Sequence, residues 1–390
     1  MIWRYRREVM WRFRREVMWR FRREVTVAGL LLLGGLSGCG NAGSAGNNTQ
    51  ADGGADAAPS THPDLTGFYN VATLTPLQRP EEFGDNLYLA PDHASQIVED
   101  NRLRTQERDR NRGPASEAPP VGGAPPIGLG DEFLESSGAG SVGGYNNAYV
   151  DPGTDVFMVD GRFRTSIITD PVNGRMPELV PAAMQRVAAR RGSRRRNTGT
   201  AWWLEVDGPG PYDDPESLGD SERCLTGFGS TGGPPMLPVL YNNLKRIVQT
   251  EDHVMILIEM VHDARIIRMN GEHASPGIRK WLGDSIGWWE EDTLVVDTTN
   301  FTDSPALFLA TRDLHVVERF QRINEVDLLY SFTVKDPNVW SASWSGEYLW
   351  PGTDNRVYEY ACHEGNYSMA GILKGARLLE TRRPQGSGGN

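Results

Sequence analysis

The run Trp281 to Phe301, WLGDSIGWWEEDTLVVDTTNF, limits what this chain can fold into more than any other stretch. Ile286 to Glu290 reads as one strand. Thr293 to Thr299, dense in β-branched residues, reads as the strand returning beside it. Glu291 and Asp292 fall where a tight turn belongs. Similar pairs stand on both sides. Arg246 to Gln249 faces Val254 to Met260 across Glu251-Asp252, and Leu314 to Ile323 faces Leu328 to Val334 across Asn324 to Asp327. Ala264 to Met269 ends at Asn270-Gly271, a hairpin-type turn signal. Val339 to Trp350 and Val357 to Tyr360 complete the series, and Gly365 to Leu379 reads as a closing helix. Strand–helix–strand alternation is absent, which argues against a doubly wound parallel sheet. The expected fold is mainly β: an antiparallel meander forming a barrel or sandwich, with a few peripheral helices and a C-terminal helix.

The first half is sparser. Asp92 to Arg110 reads as a polar surface helix with Asp92 as N-cap. Val156 to Met158 and Phe163 to Ile168 read as strands around Asp160-Gly161, and Asn173-Gly174 is a type I′ turn signal. Pro181 to Arg190 reads as a short helix running into an Arg-rich, solvated loop that ends at Arg196. A Pro- and Gly-rich insertion occupies about 111–150. Leu65-Thr66-Gly67-Phe68-Tyr69 resembles the opening of lipocalin-like barrels, with Tyr69 where that family carries Trp, and so implies a lipocalin-like barrel.

The N-terminus reads as an address. Three Arg-rich repeats each begin with Met, and translation from Met18 yields a signal peptide of ordinary length. The apolar run Val25 to Leu33 is too short for a bilayer span of about 20 residues. Leu36-Ser37-Gly38-Cys39 resembles a bacterial lipobox, which implies cleavage before Cys39 and lipidation of its sulfur. Gly40 in place of Asp favours sorting to the outer membrane. The expected organisation is a signal peptide over 1–38, a flexible tether over 39–63 with a reach of about 25–30 Å, and one β-rich domain over 64–390.

The formal net charge is -11, and the leader through Gly38 holds nine Arg and three Glu, or +6. Its removal leaves -11 - 6 = -17. So acidic a body argues against nucleic acid as a partner, since phosphate recognition needs a basic surface. The expected partners are the membrane, through the N-terminal anchor, and a small apolar or amphipathic ligand. With Cys39 assigned to lipid, Cys224 and Cys362 remain. They stand either as a disulfide, worth roughly 4–5 kcal/mol on loop entropy, or as two buried thiols.

The phrases MVHDARII, WLGDSIGWWEEDTLVVDTTNF, LHVVERF and YEYACHEGNY resemble those of an uncharacterised family of exported bacterial proteins. The likeness covers most of Asp64 to Glu380. It implies a common β-rich fold and an envelope location, and it implies no activity. Trp288-Trp289 is a departure, because the family pattern has one Trp there.

Chemistry could sit at several places. On a continuous strand Glu259 and Asp263 share a face as a carboxylate pair, with His262 on the other face. His363 adjoins Cys362, and Arg265, Glu318 and Arg319 are charges inside strands. A barrel lumen holding Glu259, Asp263, Arg265, Glu318 and Arg319 either binds something polar or pairs internally. Trp288, Trp289 and Tyr360 are candidate ligand contacts. The sequence holds no HExxH or HxH and no cofactor motif, so neither a metal nor a cofactor is expected; its GxSxG match is Gly283-Asp284-Ser285-Ile286-Gly287. Gly283-Asp284-Ser285 lacks the helix that a nucleophilic serine needs. Three functions are in view: a lipid-anchored ligand-binding protein, an envelope hydrolase or isomerase using Glu259 or Asp263 with His262 or His363, and a structural or assembly lipoprotein.

Overall fold

Alternation decides the main sheet. Along strand β12 (Leu328–Lys335) the side chains of Leu328, Tyr330, Phe332 and Val334 are buried, and those between them are not. Strands β11 (His315–Arg322) and β13 (Trp344–Trp350) repeat the pattern on either side. The structure, a computed structural model, describes residues 62–110, 151–193 and 199–382. The expected signal peptide, Cys39, nearly all of the expected tether, the insertion at about 111–150 and the arginines at 194–196 lie outside the described residues.

The described residues are mainly β. Ten strands form one curled sheet. From one edge the order runs β1 (Gly67–Asn70), β6 (Leu244–Gln249), β7 (His253–Ile258), β8 (Ala264–Met269), β9 (Asp284–Glu290), β10 (Thr293–Thr299), β11, β12, β13 and β5 (Ile168–Asp170). The sheet curls far enough for β1 to meet the chain just beyond β13. Tyr69 bridges to Gly352, and the Asn70 amide donates to the Pro351 carbonyl at 3.1 Å. A second, three-stranded sheet orders β2 (Tyr88–Leu89), β4 (Arg162–Arg164) and β3 (Met158–Val159). Helix α1 (Pro91–Arg110) packs there through Ala94 and Ile97 against Leu89 and Val156. Helix α2 spans Pro181–Ser193. A short turn of helix, α3 (Cys362–Gly365), precedes the C-terminal α4 (Tyr367–Thr381).

The hairpins read from the sequence are present at β6–β7, β9–β10 and β11–β12. Glu291 supplies the left-handed turn between β9 and β10 at φ 53°, and Asp160-Gly161 does the same between β3 and β4 at φ 51° and 71°. Asn270-Gly271 is not a hairpin. After β8 the chain crosses over through residues 270–283, and β9 returns parallel to β8, with Ile267 beside Ser285. Buried Asp284 holds this crossover. It accepts hydrogen bonds from both terminal nitrogens of Arg268 at 2.9 Å, from Lys280 Nζ at 2.6 Å and from the Ala274 amide at 2.9 Å. Gly283 has φ +75°, and a Cβ there would lie 2.5 Å from Thr298 Cγ2, so only glycine fits the last step into β9. Val357 to Tyr360 is an extended segment outside the sheet, and α1 begins at Pro91, which places Asp92 inside its first turn. Among the described residues no helix is long and apolar enough to cross a membrane.

The concave face of the sheet is filled. Trp344, Trp350, Tyr330, Tyr348 and Phe320 are fully buried, and most of their contacts are tilted or edge-to-face, such as Tyr330 against Tyr348 at 5.6 Å and 88°. Among them Arg265 forms a two-pronged ion pair with Glu318. Arg265 Nε donates to Ser285 Oγ at 3.0 Å and Nη2 to Thr298 Oγ1 at 2.8 Å. Tyr330 Oη donates to Glu318 Oε1 at 2.8 Å and accepts from the Met236 amide at 2.9 Å. Tyr348 Oη donates to the Met236 carbonyl at 2.7 Å. The loop carrying Met236 is buried from Ser230 to Leu237 and plugs the space that a ligand-filled lumen would need. Glu318 and Arg265 are therefore committed to each other. Arg319 points to the convex face, not the lumen, and pairs with Glu290 at 2.8 Å.

The buried pair makes a coupled prediction. Glu318→Gln should destabilise the protein by about 3–5 kcal/mol, because Arg265 would stay buried without a counterion. Arg265→Met combined with Glu318→Leu should cost less than the two single losses added together. Urea unfolding followed by tryptophan fluorescence checks this; strictly additive losses would rule out the coupling.

Candidate functional site

Strand β7 stops at Ile258, and residues 259–262 turn tightly before β8. The turn is strained: Val261 and His262 have φ +59° and +46°, a region β-branched residues avoid. Two segments distant in sequence grip it. Glu259 Oε1 accepts the Tyr358 amide at 3.2 Å, Asp263 Oδ2 accepts the Gly227 amide at 3.2 Å, and the His262 ring lies 3.3 Å from the Tyr360 carbonyl. Because the strand is interrupted, the same-face pairing expected for Glu259 and Asp263 does not apply. Both carboxylates lie close enough to the lysine beneath the turn to act on its charge.

Lys245 lies in β6 opposite Ile258, is fully buried, and its Nζ has no hydrogen bond among the described residues. Burial pushes this amine down to about 7, against the opposing pull of the nearby Glu259 and Asp263 carboxylates. Burial also raises the Asp263 carboxyl, which the Gly227 amide, His262 and Lys245 partly offset. Lys245 and Glu259 are buried and Asp263 is half-buried.

A cleft opens beside this turn. Cys224 and Cys362 form a disulfide with Cα atoms 5.8 Å apart, joining the loop before the plug to α3. Next to it lies a cavity of about 470 Å³, walled by Phe228, Tyr360, Met369 and Ile372, with Glu222, Glu359, Asn242 and Asn366 among its polar groups. Asn366 also caps α4, accepting the Met369 amide at 3.3 Å, and its Nδ2 donates to the Glu222 carbonyl at 2.7 Å, so the two walls are tied together. On the far side of Asn366 and Met369 is a second hollow of about 300 Å³, which holds His363 and Arg223. Arg223 faces Asp220 at 3.8 Å and Glu216 at 4.0 Å.

Of the residues singled out in the sequence, the structure gathers Glu259, His262, Asp263, Tyr360 and the two cysteines around this end of the sheet. His363 is exposed and faces the second hollow, and among the described residues no hydrogen bond joins His262 or His363 to Glu259 or Asp263. Trp288 and Trp289 lie elsewhere: Trp289 stacks on His62 at 4.8 Å, and Trp288 Nε1 donates to Glu290 at 3.2 Å. Ser285 is buried under Arg265 and is no nucleophile.

One cluster was not assembled from the sequence, which gives no sign that His273 joins Asp297 and His315. On the convex face Asp297 takes His273 Nε2 at 2.8 Å and His315 Nε2 at 2.6 Å, while His273 Nδ1 reaches Asp284 at 3.2 Å. Arg268, with Lys280, the Ala274 amide and His273, holds the Asp284 carboxyl far below the usual range despite its burial. The pairing of β10 with β11 places Asp297 near His315, but nothing in the sequence ties the loop residue His273 to them. Among the described residues no group of His, Cys, Asp and Glu is arranged to hold a metal ion.

Lys245 makes the pH prediction. Its folded pKa lies near 7 against 10.5 for a free side chain, so the folded state carries fewer protons in that window. Stability should rise as pH climbs from about 7 toward 10, by up to about 1.4 kcal/mol per pH unit, and fall again as pH drops to 7. Lys245→Met should flatten that slope in urea titrations at pH 7, 8 and 9; an unchanged slope would show that Lys245 is charged in the folded protein.

Comparison of the chain with protein-family models, with curated proteins and with solved structures found no match.

Proposed function

We propose that this chain is an envelope lipoprotein, moored through Cys39, that binds a small amphipathic ligand in the cleft beside Cys224–Cys362. The cleft carries this reading. Its volume of about 470 Å³ lies within the range of small-molecule sites, roughly 300–1,000 Å³, and its wall combines apolar side chains with a few polar groups. The disulfide fits an oxidising compartment, as the lipobox-like Leu36 to Cys39 also does. Tyr69, buried at one end and bonded to Arg322 at 2.8 Å, supports reading the curled sheet as a lipocalin-like barrel. The ligand site belongs at the mouth of that barrel, since its interior is filled by the plug. The hydrolase or isomerase alternative is weaker, because Glu259 and Asp263 accept backbone amides and, among the described residues, no hydrogen bond joins either to His262 or His363. No observation favours the assembly role.

Two measurements test this. A clickable fatty acid fed to expressing cells should label the protein, and Cys39→Ser should abolish the label; persistent labelling would remove the anchor. Calorimetry of the lipidated protein in zwitterionic nanodiscs should show saturable binding of short-chain amphiphiles. Ile372→Trp, which fills the cleft from a half-exposed position, should weaken that binding at least tenfold with little change in Tm. Undiminished binding by this variant would move the site elsewhere.

A further inference from the structure

We infer that the cleft takes a cationic amphiphile, a small molecule with an ammonium-type head on an apolar body. The inference rests on the reading of the cleft as a ligand site and adds the sign of the ligand. The described residues lining the cleft include two carboxylates, Glu222 and Glu359, and no Lys, Arg or His. Glu222 is fixed in place: one carboxylate oxygen takes the Gly219 amide at 2.8 Å, while its carbonyl takes Asn366 Nδ2 at 2.7 Å. Glu359 makes no hydrogen bond or ion pair among the described residues, so its charge is unanswered. The neighbouring Arg223 does not answer it either, because its guanidinium lies in the other hollow beside Asp220 and Glu216.

Two aromatic rings, Phe228 and Tyr360, share this wall with the carboxylates. A cation gains from the face of such a ring as well as from the carboxylates, whereas an uncharged head gains neither term and an anion is repelled. Met369 and Ile372 supply the apolar floor for the body of the molecule. Both carboxylates are exposed, so each contributes modestly. Together with one ring contact they should favour a cation over an uncharged head of similar size by roughly tenfold at low salt.

Three probes with one tail separate the possibilities: octyltrimethylammonium, octyldimethylamine N-oxide, which is uncharged overall at pH 8, and octyl sulfate. Calorimetry uses the lipidated protein in zwitterionic nanodiscs, with empty discs as the blank. The expected result is tightest binding of the ammonium probe, roughly tenfold over the N-oxide, with octyl sulfate weakest. The preference should shrink to about threefold at high salt. Glu222→Gln with Glu359→Gln should remove it, so that the ammonium and N-oxide probes bind the variant alike. If all three heads bind alike and Ile372→Trp abolishes them, the site stands and its charge selectivity is refuted. If the preference survives in the double variant, it arises from the acidic body as a whole and the inference falls. If no probe binds saturably, both the inference and the ligand site fall.

Discussion

Burying Arg265 against Glu318 is a costly arrangement, and the rest of the sheet is organised to offset it. Each ion loses several kcal/mol of hydration, and the pair holds only if every remaining polar atom finds a partner. Ser285 from β9, Thr298 from β10 and Tyr330 from β12 supply those partners, so five strands are fixed in one register. A slip of one residue in any of them would turn its contribution to the wrong face. Tyr330 then passes the constraint to the Met236 amide, and Tyr348 takes the matching carbonyl. The plug is thus bound into the same network, and the interior is closed to any ligand by the interactions that hold the sheet together.

That arrangement explains what the sequence revealed and what it withheld. The hairpins around Glu251, Glu291 and Asn324 were legible because alternation and turn chemistry are local properties. The curled sheet followed from them. The parallel step from β8 to β9 was not legible, since Asn270 adopts its left-handed turn and only the distant grip of Asp284 sends the chain onward. Val357 to Tyr360 looks like a strand because its residues suit one, yet its amide at Tyr358 is spent on Glu259. The plug could not be placed from its sequence, because its Gly, Pro and Ser residues carry no alternating apolar pattern, and it is buried because the network recruits its backbone.

The candidate site was half legible. Tyr360 and the cysteine pair could be named from the sequence. The cleft could not, because its walls come from residues 218–228, Asn242 and residues 359–372, which only the folded chain brings together. For the charges within strands the sequence left ligand binding and internal pairing open, and the structure gives these charges separate partners. Arg265 and Glu318 build the interior, Arg319 and Glu290 decorate the outside, and Lys245 sits unsatisfied beneath the strained turn.

The bond between Cys224 and Cys362 spans 138 residues, and that ring contains every strand from β6 to β13. A protease that nicked a single exposed turn within the ring would therefore release nothing. The two pieces would stay tied at high effective concentration, and the sheet could close again over the break. This covalent circuit gives the domain tolerance to a first cut that an open chain of the same strands would lack.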